Sequence, residues 1–239
     1  MNNKMKWGAQ LIVVLLCALG LKFFYSSASP EGLRWILAPT TWLVELVSGR
    51  AFSFEAHAGY MSKDHSFLIA GSCAGVNFLL TAFLMLALRK LWVHRERGLT
   101  WRFLPLVALG AFVATLLTNT VRICIALQMQ QMGHSGSWLT ASQLHRAEGI
   151  IVYFSCLFIL FVITEERSRS KFGLLSRAWV PLLIYYATTL GLPILNGAYR
   201  QGSEFWQHAA FVLVLPFILL LPLIVVLLCR VCVVKTSLC

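Results

Sequence analysis

Residues 103–129 read FLPLVALGAFVATLLTNTVRICIALQM, and Arg122 is the single charged residue among them. At ~1.5 Å per residue such a run makes a helix long enough to cross a hydrocarbon core of about 30 Å. A helix on a soluble domain keeps a polar face along its whole length. Here the polar residues gather instead at Thr118-Asn119-Thr120 and Arg122, near one end.

Comparable apolar runs lie on either side, at Trp7–Tyr25, Ser66–Leu88, Ala147–Ile163, Ala178–Leu195 and Phe205–Cys229. The composition agrees, with 59% apolar and 12% charged residues, far from the half-apolar, quarter-charged balance of soluble domains. The sequence therefore predicts an all-α, polytopic transmembrane helix bundle of about six spanning helices. A shorter apolar stretch, Leu33–Val47, carries Trp35 and Trp42 and has Arg34 and Glu45 near its ends. It reads as an outer helix that lies in the interface or re-enters the membrane. One membrane domain, 1–239, is expected, with core helices in 66–163, an outer loop in 26–65 and two accessory helices in 178–229.

Basic residues set the orientation. The connection 89–102 holds Arg89, Lys90, Arg95, Arg97 and Arg102, and 164–177 holds Arg167, Arg169, Lys171 and Arg177, whereas 130–144 has no Lys or Arg. The alternation follows the positive-inside rule. It predicts a multi-pass membrane protein with both termini in the cytoplasm, Arg230 and Lys235 marking the last inner end. Lys4 and Lys6 precede the first run, which exceeds the ~7–15 apolar residues of a signal-peptide core, and Pro30 spoils cleavage near Ser27-Ala28. That segment is expected to be retained. The net charge of +11 is thus topological, and no basic stripe points to nucleic acid.

Seven cysteines fall at 17, 73, 124, 156, 229, 232 and 239. An odd number, mostly inside apolar runs, argues against a disulfide framework. Cys229-Arg-Val-Cys232 has Cys-x-x-Cys spacing without a second ligand pair, so it is a weak metal or redox signal.

Polar groups within spans need a reason, because burying them in hydrocarbon is costly. Three clusters qualify. Gly71-Ser72-Cys73-Ala74-Gly75-Val76-Asn77 is expected in the outer third of the second span, with Cys73 roughly 10 Å below the interface and Asn77 one turn later on its face. A small-residue packing patch is the plain alternative. Asn119 and Arg122 share a face, with Arg122 roughly 29 Å along its span and so at the outer edge. The alternative is an arginine snorkelling to headgroups. His145-Arg146-Ala147-Glu148-Gly149 opens the next span, with Glu148 expected to pair with Arg146 or Arg122. A solvated cap is the competing reading. Three helices running in alternating directions thus place a thiol, a cation and an imidazole at one outer level. Those are the parts of acyl transfer through cysteine, because a cation lowers a thiol pKa and an imidazole protonates a leaving amine.

Ser72-Cys73-Ala74-Gly75, Asn119-Thr-Val-Arg122-Ile123 and His145 followed by Gly149 together resemble the exosortase and archaeosortase family of membrane cysteine transpeptidases, over residues 66–163. The resemblance implies that Cys73, Arg122 and His145 are catalytic. Ser72, Gly75, Asn77, Asn119 and Glu148 are expected to support them or bind substrate. It further implies a short bacterial protein-sorting enzyme acting at the outer face of the membrane. Its partners would be membrane lipid and secreted proteins that end in a short motif, a membrane helix and a basic tail. The acyl group would pass to an acceptor such as a glycan or lipid-carrier amine, or to water. No metal or other cofactor is required, and helices one, five and six carry no matching motif. Two other readings stand beside it. One is an intramembrane metalloprotease using His145 and Glu148 with His57, His65 or His134. The other is a small permease or a non-catalytic membrane assembly factor.

Overall fold

A computed structural model describes residues 3–96, 99–132, 140–165 and 179–236, with side chains described as far as 222. Arg97, Arg167, Arg169, Lys171, Arg177 and His134 lie outside the described residues, as do the side chains of Cys229, Arg230, Cys232 and Lys235. The chain is 78% helical and has one small three-stranded sheet, so it is an all-α, polytopic membrane protein. It forms two compact units, Met1–Ala141 and Ser142–Cys239.

The first unit opens with α1 (Asn3–Ser27) and α2 (Arg34–Ser48). Three short strands follow, β1 (Phe52–Glu55), β2 (Gly59–Ser62) and β3 (Leu68–Ala70), all antiparallel in the order β1-β2-β3. A 3-10 turn over Gly71–Cys73 leads into α3 (Val76–Val93), and α4 (Phe103–Met132) completes the unit.

Helix α3 is the centre of this unit. Its apolar window is 61% buried against 17% for α1, and Phe78, Leu80, Ala82, Met85, Ala87 and Leu91 sit in the core. Helix α1 keeps Ile12, Leu16, Leu19 and Phe23 exposed, as a helix bathed in lipid does. It runs antiparallel to α3. At one end the Trp7 indole N–H donates to the Leu91 carbonyl at 3.0 Å, and the Gln10 amide donates to the Leu99 carbonyl at 3.0 Å. At the other end Lys22 meets Asn77. The end near Leu91 carries Arg89, Lys90 and Arg95, and the opposite end carries the sheet and the turn bearing Cys73.

Helix α2 packs on α4, with Trp35 stacked on Phe112 at 5.8 Å between ring centroids. Its buried stripe is Ile36, Leu37, Thr40, Thr41 and Val44, while Trp35, Trp42, Leu46 and Val47 face outward. The two charged residues near its ends fasten it to the sheet. The Arg34 guanidinium lies 4.5 Å from the Phe54 ring, and Glu45 Oε1 accepts the Phe52 N–H at 2.7 Å. In the β2–β3 turn, hydrogen bonds from the Ser62 and Ser66 side chains and the Ser66 N–H hold the Asp64 carboxyl down at about 2, with Arg50 adding to the effect.

The second unit holds α5 (Ala141–Thr164), α6 (Trp179–Leu195) and α7 (Ser203–Thr236). Its core joins Phe154 to Tyr185 edge-on at 5.5 Å, and the Tyr186 hydroxyl donates to the Leu213 carbonyl at 2.8 Å. Helix α6 contains a π-helical turn over Ala187–Gly191 ahead of Pro193. Proline removes a donor and crowds the carbonyl one turn back, and a widened turn relieves both.

Among the described residues five helices are long and apolar enough to cross a membrane, and α6 is a shorter apolar helix. The sequence predicts six comparable spans, and α6 is the element that differs. The second span also differs. It occupies Gly71–Val93 rather than Ser66–Leu88, because residues 68–70 pair with β2 and Gly75, at φ 73°, breaks the chain ahead of the helix. A left-handed backbone is open to glycine at little cost.

Candidate functional site

Cys73 is the last residue of the 3-10 turn and is half-buried, while Ser72 beside it is exposed. The thiol thus sits on a turn at the mouth of α3 rather than a few turns down a helix. This undoes the expectation that Asn77 shares a helical face with Cys73, since α3 begins only at Val76.

Helix α4 holds this turn in place. The fully buried Asn119 side chain donates a hydrogen bond from Nδ2 to the Cys73 carbonyl oxygen. Gly75 makes the approach feasible. A Cβ there would lie 3.0 Å from Asn119 Cγ and 3.2 Å from Thr115 Cγ2. The glycine therefore serves two needs, a positive φ and contact with a neighbouring helix. Arg122, half-buried, follows Asn119 by three residues and so lies on the same side of α4. The sequence pairing of Asn119 with Arg122 is thereby directed at the thiol-bearing turn.

Helix α1 contributes two residues that no motif marks. Tyr25 interacts electrostatically with both Cys73 and Arg122, so its phenol shares their neighbourhood. Lys22, one turn earlier on the same face, donates from Nζ to Asn77 Oδ1 at 3.2 Å and lies 5.8 Å from the Tyr25 ring centroid. The sequence did hold a signal for them. A lysine and a tyrosine at i, i+3 near the end of an apolar run, remote from the basic loops, are costly there without polar partners. Within this unit, Cys73, Asn77, Asn119, Arg122, Lys22 and Tyr25 gather at one end of α1, α3 and α4.

His145 and Glu148 belong to the second unit, in the first turns of α5. His145 Nδ1 lies 3.7 Å from Glu148 Oε2, with the His145 side chain 51% exposed and the Glu148 side chain 6% exposed. A carboxylate beside an imidazole holds the ring's orientation.

Cys17, Cys73, Cys124 and Cys156 are free thiols. Among the described residues no three of His, Cys, Asp and Glu form a group able to hold a metal ion. His57 and His65 are exposed near the strands of the first unit.

Comparison with known protein families, with curated proteins and with solved structures finds no match.

Proposed function

We propose that the protein is a membrane cysteine transpeptidase of exosortase type, acting on secreted proteins at the non-cytoplasmic face of a bacterial cytoplasmic membrane. The observation that carries this reading is the bond from Asn119 to the Cys73 carbonyl, which turns the Arg122 side of α4 toward the thiol. The orientation rests on charge. Arg89, Lys90 and Arg95 lie at the end of α3 opposite Cys73, and the positive-inside rule assigns that end to the cytoplasm.

In the proposed reaction the Cys73 thiolate attacks the carbonyl carbon of a peptide bond ahead of the substrate's membrane helix. Arg122 favours the thiolate and then the developing oxyanion, a contribution of several kcal/mol in comparable sites. The C–N bond breaks, the departing amine takes a proton, and the substrate is left as a thioester on Cys73. The resemblance gives the proton transfer to His145, with Glu148 orienting its ring. An amine acceptor on a glycan or lipid carrier then attacks the thioester carbonyl and restores the thiol. Water in its place gives hydrolysis. Tyr25 and the Lys22–Asn77 pair wall the site on the α1 side and fix the polar groups around the sulfur.

A permease would be expected to carry charge near the bilayer midplane, flanked by broken helices. The polar groups of the first unit gather instead at one end of its helices.

The test is co-expression with a secreted reporter that ends in a short motif, a membrane helix and a basic tail, followed by thiol alkylation or chelation of isolated membranes. Alkylation is expected to stop release of the tail, and a chelator is expected to leave it unchanged. Chelator-sensitive processing that survives alkylation would replace this reading with a metal mechanism.

A further inference from the structure

Among the described residues, the strand that delivers Cys73 leaves part of its outer edge without backbone pairing. The pairing of β2 with β3 places Tyr60 opposite Ile69 and Met61 opposite Leu68, and the Ser62 N–H donates to the Phe67 carbonyl at 2.9 Å. In an antiparallel ladder, residues that exchange hydrogen bonds alternate with residues whose backbone groups point away. Phe67 and Ile69 therefore face β2, and Ser66, Leu68 and Ala70 direct their N–H and C=O groups to the opposite side.

Both outer edges of the sheet carry side-chain caps. Glu45 takes the Phe52 N–H on β1, and the Gln130 amide of α4 donates to the Ser66 carbonyl at 2.7 Å on the β3 side. Between that cap and Cys73, Leu68 and Ala70 have no backbone hydrogen bond on the outer side among the described residues. Both residues are half-buried, and Ser72 and Cys73 beyond them are exposed and half-buried. An edge strand with open donors and acceptors is a template for another extended chain.

We infer that the outer edge of β3, at Leu68 and Ala70, binds the extended peptide segment of the substrate as a fourth strand and delivers its scissile carbonyl to Cys73. The occupant is fixed by continuity. The edge ends three residues before the sulfur, so a strand laid along it comes to the thiol, whereas the β1 edge lies two strands away. Main-chain pairing needs no particular side chains, which suits an enzyme that takes many secreted proteins. Specificity would then come from the short motif at the thiol itself. The inference rests on Cys73 being the nucleophile.

Ala70 supplies a clean variant. Its φ of −76° and ψ of 170° match what proline requires, its N–H points away from β2, and the residue before it is already extended. Ala70→Pro thus removes one edge donor without breaking the sheet. The full-length protein in detergent is reacted with two probes, acetyl-tetra-alanine chloromethyl ketone and iodoacetamide, and Cys73 alkylation is followed by peptide mass spectrometry. In Ala70→Pro the peptide probe is expected to react up to about tenfold more slowly, the upper end for loss of one hydrogen bond, while iodoacetamide reacts at the wild-type rate. Should Ala70→Pro fold poorly, the same comparison is made on the wild-type protein with probes N-methylated at successive amides. Strand addition predicts slowing at every second position only. Equal peptide-probe rates in both proteins, or no alternation among the methylated probes, would overturn the edge while leaving Cys73 as the nucleophile. Failure of both probes to alkylate Cys73 would remove the nucleophile and this inference together.

Discussion

Replacement of Cys73 by alanine is expected to abolish release of the substrate tail, lowering processing by at least about 10³-fold, as for removal of other covalent nucleophiles. Structure should survive the change. Cys73 is half-buried on a turn, and the contact that fixes the turn runs from Asn119 to the Cys73 backbone carbonyl, which alanine retains. The expected stability change is within about 0.5 kcal/mol, typical of substitutions that remove no buried contact. Immunoblotting of the reporter reads the processing, and thermal unfolding in detergent reads the fold. Undiminished processing in a stably folded Cys73→Ala protein would leave a membrane protein with no role for its thiol.

Arg122→Lys is expected to reduce processing by about 10²-fold or more, the scale of losing a positioned donor to a developing oxyanion. Lysine keeps the charge but not the planar fork of donors. The substitution therefore separates two roles that arginine can play at a membrane edge. An arginine that only anchors in headgroups is replaced by lysine without loss, because both side chains snorkel. Arg122 is half-buried on the same side of α4 as Asn119, which touches the Cys73 turn, and it shares the neighbourhood of Tyr25 with Cys73. The account thus requires the lysine variant to be defective in turnover while its membrane insertion, read by protease protection, is unchanged.

Spans with long uninterrupted apolar runs were legible from sequence, and α1, α4 and α5 lie where hydropathy places them. Length and composition decide those elements, since a backbone in hydrocarbon must satisfy itself. The start of the second span was not legible. Phe67-Leu68-Ile69-Ala70 is apolar enough to continue a helix, and a run of four residues cannot announce a strand whose partner is β2. The sheet itself was hidden for the same reason, because β1 and β2 have only four residues each. In α6, Pro193 and the π-helical turn divide what reads as one span.

At the site, sequence singled out Cys73, Asn119 and Arg122, and the link it could not foresee is the Asn119 side chain on the Cys73 carbonyl. Gly75 stood out as a small neighbour, but its positive φ and its closeness to Asn119 belong to three dimensions. Lys22 and Tyr25 carry no motif, and only packing against α3 shows their face turned to Asn77 and Cys73.

The central claim is that the substrate becomes covalently attached to Cys73. Mass spectrometry of the purified enzyme after brief exposure to the co-expressed reporter tests it directly, with neutral hydroxylamine used to cleave thioesters. The account predicts a reporter fragment joined to the peptide containing Cys73 and released by hydroxylamine. Efficient tail release with no adduct on Cys73, or with an adduct on another residue, would contradict it.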